Sequence, residues 1–145
     1  MNDEPRASPR GSPPEGFLPA AARGPFTSHN GPLFHRPGSV GAEHAFLAER
    51  RHCNGLGLVH GGMLAAFLDG LLAAAAAVES RLTPITMQLS VSYLGMGRAG
   101  GWVIGEARTT RIAREIAFVE GGARMAGRDL ARASGVFKLM RPPLA

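Results

Sequence analysis

Gly61-Gly62-Met63-Leu64-Ala65-Ala66-Phe67-Leu68-Asp69-Gly70-Leu71-Leu72, followed by the alanine run Ala73 to Ala77 and Val78, is the stretch on which the fold turns. From Met63 to Val78, sixteen residues hold only two outside the apolar set, Asp69 and Gly70. Alanine is the strongest helix former, and Thr83-Pro84 lie where proline discourages further helix, so the spacing predicts one helix. A helix apolar on nearly every side is expected to be buried on every side. A membrane span is the competing reading. It is disfavoured because an aspartate near the middle costs about 2.5–3.5 kcal/mol on insertion. His60, the neighbouring glycines and the absence of aromatic anchors at the ends add to that, so no membrane association is expected.

Beyond the helix the period changes from 3.6 to 2. Ile85, Met87, Leu89, Val91 and Tyr93 alternate with Thr86, Gln88, Ser90 and Ser92, which predicts a strand with Thr86 on its polar face. Gly95 to Gly101 is rich in turn residues. Trp102 to Thr110 and Glu115 to Met125 read as two more strands, and Ala126-Gly127-Arg128-Asp129 as a hairpin turn. Leu130 to Met140 alternates again, with Ala131, Ala133, Phe137 and Leu139 on the apolar side. Toward the N-terminus, His44 to Arg50 reads as a short strand, broken by Arg51-His52-Cys53-Asn54-Gly55. Residues 1–25 carry six prolines among small and polar residues, which predicts a disordered tail; residues 26–145 form the domain, with 26–38 as a loosely packed connection.

The order is therefore strand, helix, then four strands with short links. Short links make neighbours antiparallel, because parallel crossovers need a dozen residues or more. An α+β fold follows, an antiparallel β-sheet wrapped around a long central α-helix. One small sheet leaves part of so apolar a helix uncovered, which points to a partner subunit.

Composition narrows the function classes without choosing among them. At 145 residues, 45% hydrophobic and 19% charged, the chain has room for one real core. The lone Cys53 excludes an internal disulfide framework and suits a reducing, cytoplasmic compartment; no apolar leader is visible in the first 25 residues. The net charge of +5 lies wholly beyond residue 25, since three acids and three arginines cancel before it. Such a balance fits nucleic acid, an anionic surface or a polyanionic small ligand, or simply a bias toward arginine. Nucleic acid is disfavoured, since neither interleaved aromatics nor a reading helix is present.

Chemistry concentrates where the glycine-rich run enters the helix. Asn54-Gly55-Leu56-Gly57-Leu58-Val59-His60-Gly61-Gly62 delivers unpaired backbone N–H groups and a positive dipole end, with glycines that admit a ligand. This arrangement can polarise a carbonyl as an oxyanion develops, or it can be an ordinary glycine turn. Asp69 is harder to assign to structure alone. A carboxylate inside an apolar helix is costly unless paired, which makes it a candidate functional group. A metal site from His52, Cys53 and His60 lacks a fourth ligand, and a Cys53-His60-Asp69 triad lacks a supporting motif.

Taken together, Asn54-x5-His60-Gly61-Gly62-x6-Asp69, the helix, and Thr86-Met87-Gln88-Leu89-Ser90-Val91-Ser92-Tyr93 resemble the PaaI-type hotdog-fold acyl-CoA thioesterases. The resemblance runs from about Val40 to Met140 and includes Ile116-Ala117-Phe118-Val119 and Ala133-Ser134-Gly135-Val136-Phe137-Lys138. It implies a hotdog fold and hydrolysis of an acyl-CoA. In that reading Asp69 is general base or nucleophile, and the Gly61 N–H is the oxyanion donor beside His60. Asn54 places thioester or water, and Thr86 supplies a hydroxyl near the carboxylate. Gly62, Arg111 and Arg114 are implied in substrate binding, the arginines at the CoA phosphates. The resemblance further implies a homodimer, with a homotetramer built from two dimers as the next level, and neither cofactor nor metal. A non-catalytic acyl-CoA-binding hotdog protein is the alternative, although such a binder has no need of Asp69 in that helix.

Overall fold

A computed structural model describes residues 11–21 and 23–141. The helix runs from Gly61 to Ser80 as α2, two residues longer at each end than the apolar run. His60 caps its start with a side-chain nitrogen, and Arg81 ends it in the left-handed conformation. Around it the strands are β3 (Ala42–Leu47), β4 (Thr83–Tyr93), β5 (Trp102–Ala113), β6 (Ile116–Met125) and β7 (Arg128–Met140). Two short strands, β1 (Leu18–Pro19) and β2 (Phe34–His35), and a short helix α1 (Pro25–Asn30) precede them.

All seven strands form one sheet, ordered β1-β2-β3-β5-β6-β7-β4, with every neighbouring pair antiparallel. The β6–β7 hairpin turns on Ala126 and Gly127, both at positive φ, which matches the right-handed twist of the flanking strands. Strand β4 follows α2 in sequence yet among the described residues pairs only with β7, so it is the long edge strand of the sheet.

The core lies between α2 and the inner face of the sheet. Leu64, Phe67, Leu68, Leu71 and Leu72 repeat at helical spacing and are buried against Phe46, Val103, Ala117, Val119, Leu130 and Phe137. Closest approach occurs at Gly105, where an added Cβ would meet Leu71 at 2.6 Å and Phe67 at 2.7 Å. The opposite side of α2 is not buried in the single chain. Ala65, Ala66, Asp69, Gly70, Ala73 and Ala77 are half-buried and Gly62 is exposed, the uncovered face expected of so apolar a helix on one small sheet. The physical reason is size: large side chains crowd one face and small ones line the other.

The N-terminal segment also departs from expectation. Part of the proposed disordered tail, residues 1–10, lies outside the described residues. Within the described residues the segment is tied to the sheet at 17–19: Phe17 is buried, the Arg36 guanidinium sits 4.8 Å over its ring, and β1 pairs with β2. The buried Phe17 anchors a stretch whose average composition is that of a linker. Nor is the connection at 26–38 loose. Arg51 donates to the carbonyls of His29 and Gly31, and His52 Nε2 bonds the Asn30 carbonyl at 2.9 Å.

Candidate active site

The loop entering α2 is shaped by Asn54. Its Oδ1 accepts from the N–H groups of Leu56 and Leu58 at 2.9 and 3.1 Å, and its own N–H bonds the Leu58 carbonyl at 2.8 Å. The loop is then stitched to the body by Val59 N–H to Gly97 carbonyl and His60 N–H to His52 carbonyl. Asn54 thus spends its side-chain oxygen on delivering His60 to the helix start, leaving only its amide N–H groups for anything outside the loop.

At the helix start the orphan N–H groups divide unequally. Those of Met63 and Leu64 bond the His60 carbonyl, and that of Gly62 donates to His60 Nδ1 at 2.7 Å. The Gly61 N–H has no acceptor among the described residues, and it stands at the positive end of a 20-residue helix. Such a group can donate to a developing oxyanion. The Gly61 carbonyl accepts from Tyr93 Oη at 2.7 Å, a contact with no forewarning in the sequence beyond tyrosine at the end of a strand.

Asp69 lies two turns further along the open face of α2. Thr86 Oγ1 donates to its Oδ1 at 2.7 Å, which fixes the carboxylate and leaves Oδ2 for other partners. Strict alternation would have put Thr86 on the outer face, opposite Leu89 and Val91. A β-bulge between Thr86 and Gln88 resets the period at Met87, so Thr86 pairs with the buried Phe137 and turns toward the helix. Alternation alone put Thr86 on the polar face; the place beside the carboxylate is the one that the family resemblance implied, and a bulge that re-aims one side chain is typical beside active sites.

Within one chain the expected residues form two groups. Asn54, His60, Gly61 and Gly62 sit at the start of α2, joined there by the unforeseen Tyr93, and Asp69 with Thr86 sits eight residues on, about 12 Å of helical rise. The two arginines differ. Arg114 occupies the β5–β6 turn at positive φ, at the sheet end that also holds Thr86, and is exposed without an ion-pair partner among the described residues. Arg111 pairs with Phe118, which pairs with Val136, which pairs with Gln88. That row is on the outer face, opposite the row Ile112, Ala117, Phe137 and Thr86. Arg111 is therefore separated from Asp69 by the sheet, because a second bulge, between Thr109 and Arg111, shifts β5 by one residue.

Two further histidines are buried. His52 accepts from the Glu49 N–H through Nδ1 at 3.0 Å while its Nε2 faces Asn30, so both ring nitrogens are occupied by the backbone and neither is turned to a metal. Burial lowers its pKa. His44 is 4% exposed on β3, its Nδ1 without a partner among the described residues. Burial, then the nearby Arg23 and His35, hold its pKa at about 4, so it is neutral. Cys53 Sγ faces the Glu49 carbonyl at 3.4 Å and is linked to neither His60 nor Asp69.

Cavities of about 170 and 220 Å³ open on the outer face of the sheet, near Phe118 and Val136 and near Arg108 and Arg132. Neither of these two cavities is lined by Gly61 or Asp69.

Residues 56–131 match the model of the thioesterase superfamily. A Pseudomonas aeruginosa protein named as an esterase, PA0474, is 33% identical over 130 residues, covering 87% of this chain and 96% of its own. A Ralstonia eutropha structure, named as a phenylacetic acid degradation-related thioesterase, superposes with TM-score 0.72 at 28% identity, over 81% of this chain and 92% of its own. A variant of the phenylacetic acid degradation protein PaaI from Thermus thermophilus superposes with TM-score 0.71 at 25% identity, over 80% of this chain and all of its own. The matched region runs from the Asn54 loop through α2 into β7, the same elements that carry the two groups of polar residues. With fold, family model and relative in agreement, the chain belongs to the thioesterase superfamily, as a hotdog-fold protein of the PaaI type.

Proposed function

We propose that this protein hydrolyses an acyl-CoA thioester at a site completed by a second copy of itself. The observation that carries the reading is Asp69, held by Thr86 at 2.7 Å on the open face of a helix whose Gly61 N–H is free. Asp69 removes a proton from water as the water oxygen attacks the thioester carbonyl, or its carboxylate attacks that carbon first to give an anhydride that water then opens. The Gly61 N–H stabilises the oxyanion. On the first route the C–S bond breaks after water has attacked, and on the second it breaks as the anhydride forms; on either, the thiolate takes up a proton, and the products are a free acid and CoA.

Base and oxyanion donor must each lie within about 3 Å of their targets, and a rise of about 12 Å along one helix separates them. The free edge of β4 offers the remedy. It is eleven residues long, with exposed Ile85, Met87 and Tyr93 along it. Such an edge is a template for pairing. Two copies joined edge to edge about a twofold axis would continue the sheet and lay the two α2 helices side by side and antiparallel. The Gly61 end of each would then face Asp69 of the other. The lone Cys53 fits a cytoplasmic setting.

The test is free-thiol release from a panel of acyl-CoA substrates, followed by subunit mixing. Asp69→Asn and Gly61→Pro should each be inactive, and proline is tolerated at the first helical position. Mixed, reassociated dimers should recover one working site. Tight CoA-ester binding with no thiol release across the panel would establish the non-catalytic alternative. Folded mixed dimers that stay inactive would refute the shared site.

A further inference from the structure

We propose that Tyr93 is the positioning residue of the oxyanion donor, an inference that rests on the reading of Gly61 above. The peptide unit joining Gly61 to Gly62 is held at both ends. Its carbonyl oxygen accepts from Tyr93 Oη at 2.7 Å, and its N–H donates to His60 Nδ1 at 2.7 Å. A peptide unit is planar, so two opposed hydrogen bonds fix its rotation about the line between the two Cα atoms. Two successive glycines have the widest backbone freedom of any pair, and they stand where the donor must be aimed. With that plane fixed and the His60 ring tied back to it, the N–H on the other side of the Gly61 Cα keeps one direction.

Gly61 and Tyr93 are also fitted to each other in space. A Cβ at position 61 would lie 3.3 to 3.4 Å from Cζ, Cε1 and Oη of the Tyr93 ring, so the ring occupies the room a side chain would take. The ring comes from the end of β4, 32 residues away, and is 53% exposed. A neutral hydrogen bond of this kind adds only about 0.5–1.5 kcal/mol net to folding, because water replaces it on unfolding. Its consequence is therefore expected in turnover. Thr86 steadies Asp69 from the opposite end of the same strand, so β4 steadies both groups of the proposed site.

The test is Tyr93→Phe, which keeps the ring and removes only the donor. Turnover should fall about tenfold, since small misplacements of catalytic groups cost up to about 10²-fold. KM should stay within about twofold and the melting temperature should fall only slightly. Because Tyr93 and His60 hold one peptide, Tyr93→Phe added to His60→Ala should cost much less than tenfold again. A raised KM at constant kcat would overturn the inference by making Tyr93 a substrate contact. Unchanged kcat would overturn it outright, and so would full multiplicativity with His60→Ala. Asp69→Asn and Gly61→Pro, assayed alongside, keep the two levels apart. If both are inactive while Tyr93→Phe is fully active, only Tyr93 is misassigned; if either turns over normally, the parent reading fails.

Discussion

The two faces of α2 are made of residues that hydropathy scores alike, yet they do opposite things. On one, Leu64, Phe67, Leu68, Leu71 and Leu72 bury large side chains on the sheet, each contributing about 1.5–3 kcal/mol. On the other, Ala65, Ala66, Gly70, Ala73 and Ala77 leave a shallow, half-open surface with Asp69 at its middle. Size, rather than polarity, separates a packing face from a working one. Alanine keeps the helix intact while letting something else approach.

The sharpest way to break that comparison is one substitution on each face. Asp69→Asn should lower kcat by about 10²–10⁴-fold with the melting temperature unchanged, because it removes a proton acceptor and no packing. Retention of more than about a tenth of the wild-type rate would end the assignment. Leu71→Ala is the mirror experiment: it should cost about 2–5 kcal/mol of stability and leave the kcat of the folded protein near wild type. If Leu71→Ala loses turnover without losing stability, the two faces are not independent.

A second comparison sets the two edges of the sheet against each other. The β4 edge is open, whereas the other is covered by the N-terminal segment, with the neutral His44 beneath it paired in register with His35. Unfolded, His44 would titrate near 6.5; folded, at about 4. Its contribution to stability is therefore complete above pH 6.5 and is lost as pH falls from 6.5 to about 4. The loss reaches about 3 kcal/mol from this group alone. Urea titrations between pH 7 and pH 4 should show that slope, and His44→Leu should flatten it. An equal slope in His44→Leu would assign the acid sensitivity elsewhere.

What the sequence made legible follows from what periodicity can encode. The long helix, the four strands after it and the apolar side of β7 were readable because each repeats over ten residues or more. So was the Asp69 position, since one charge in sixteen residues is a strong signal. The face of Thr86 was not readable, because a bulge adds one residue without any mark in the alternation and inverts everything on its far side. A second unmarked bulge, between Thr109 and Arg111, likewise sets the face of Arg111. Phe17 and Leu18 were hidden by averaging over a proline-rich window, and the bond from Tyr93 to Gly61 spans 32 residues, beyond any local pattern.

The smallest effect distinguishes the two arginines at one end of the sheet. Other basic residues of these strands are paired: Arg108 with Glu120 at 3.2 Å, Arg124 with Glu106 at 3.9 Å, and Lys138 with Glu115. Arg114 is exposed in its turn with no such partner among the described residues, free to meet a phosphate at the end of the sheet that holds Thr86. Arg111 is equally unpaired but faces away from α2. An exposed charge pair is worth about 0–1 kcal/mol, so Arg114→Gln should raise KM by at most about fivefold with kcat constant. Because such attraction is screened within about 10 Å at 0.1 M salt, the variant should also show a weaker salt dependence of kcat/KM. Arg111→Gln should change neither quantity. Equal effects from both would mean that diffuse positive charge, rather than one aimed guanidinium, draws the substrate in. No effect from Arg114→Gln, at low salt where the term is largest, would make it part of a solvated edge.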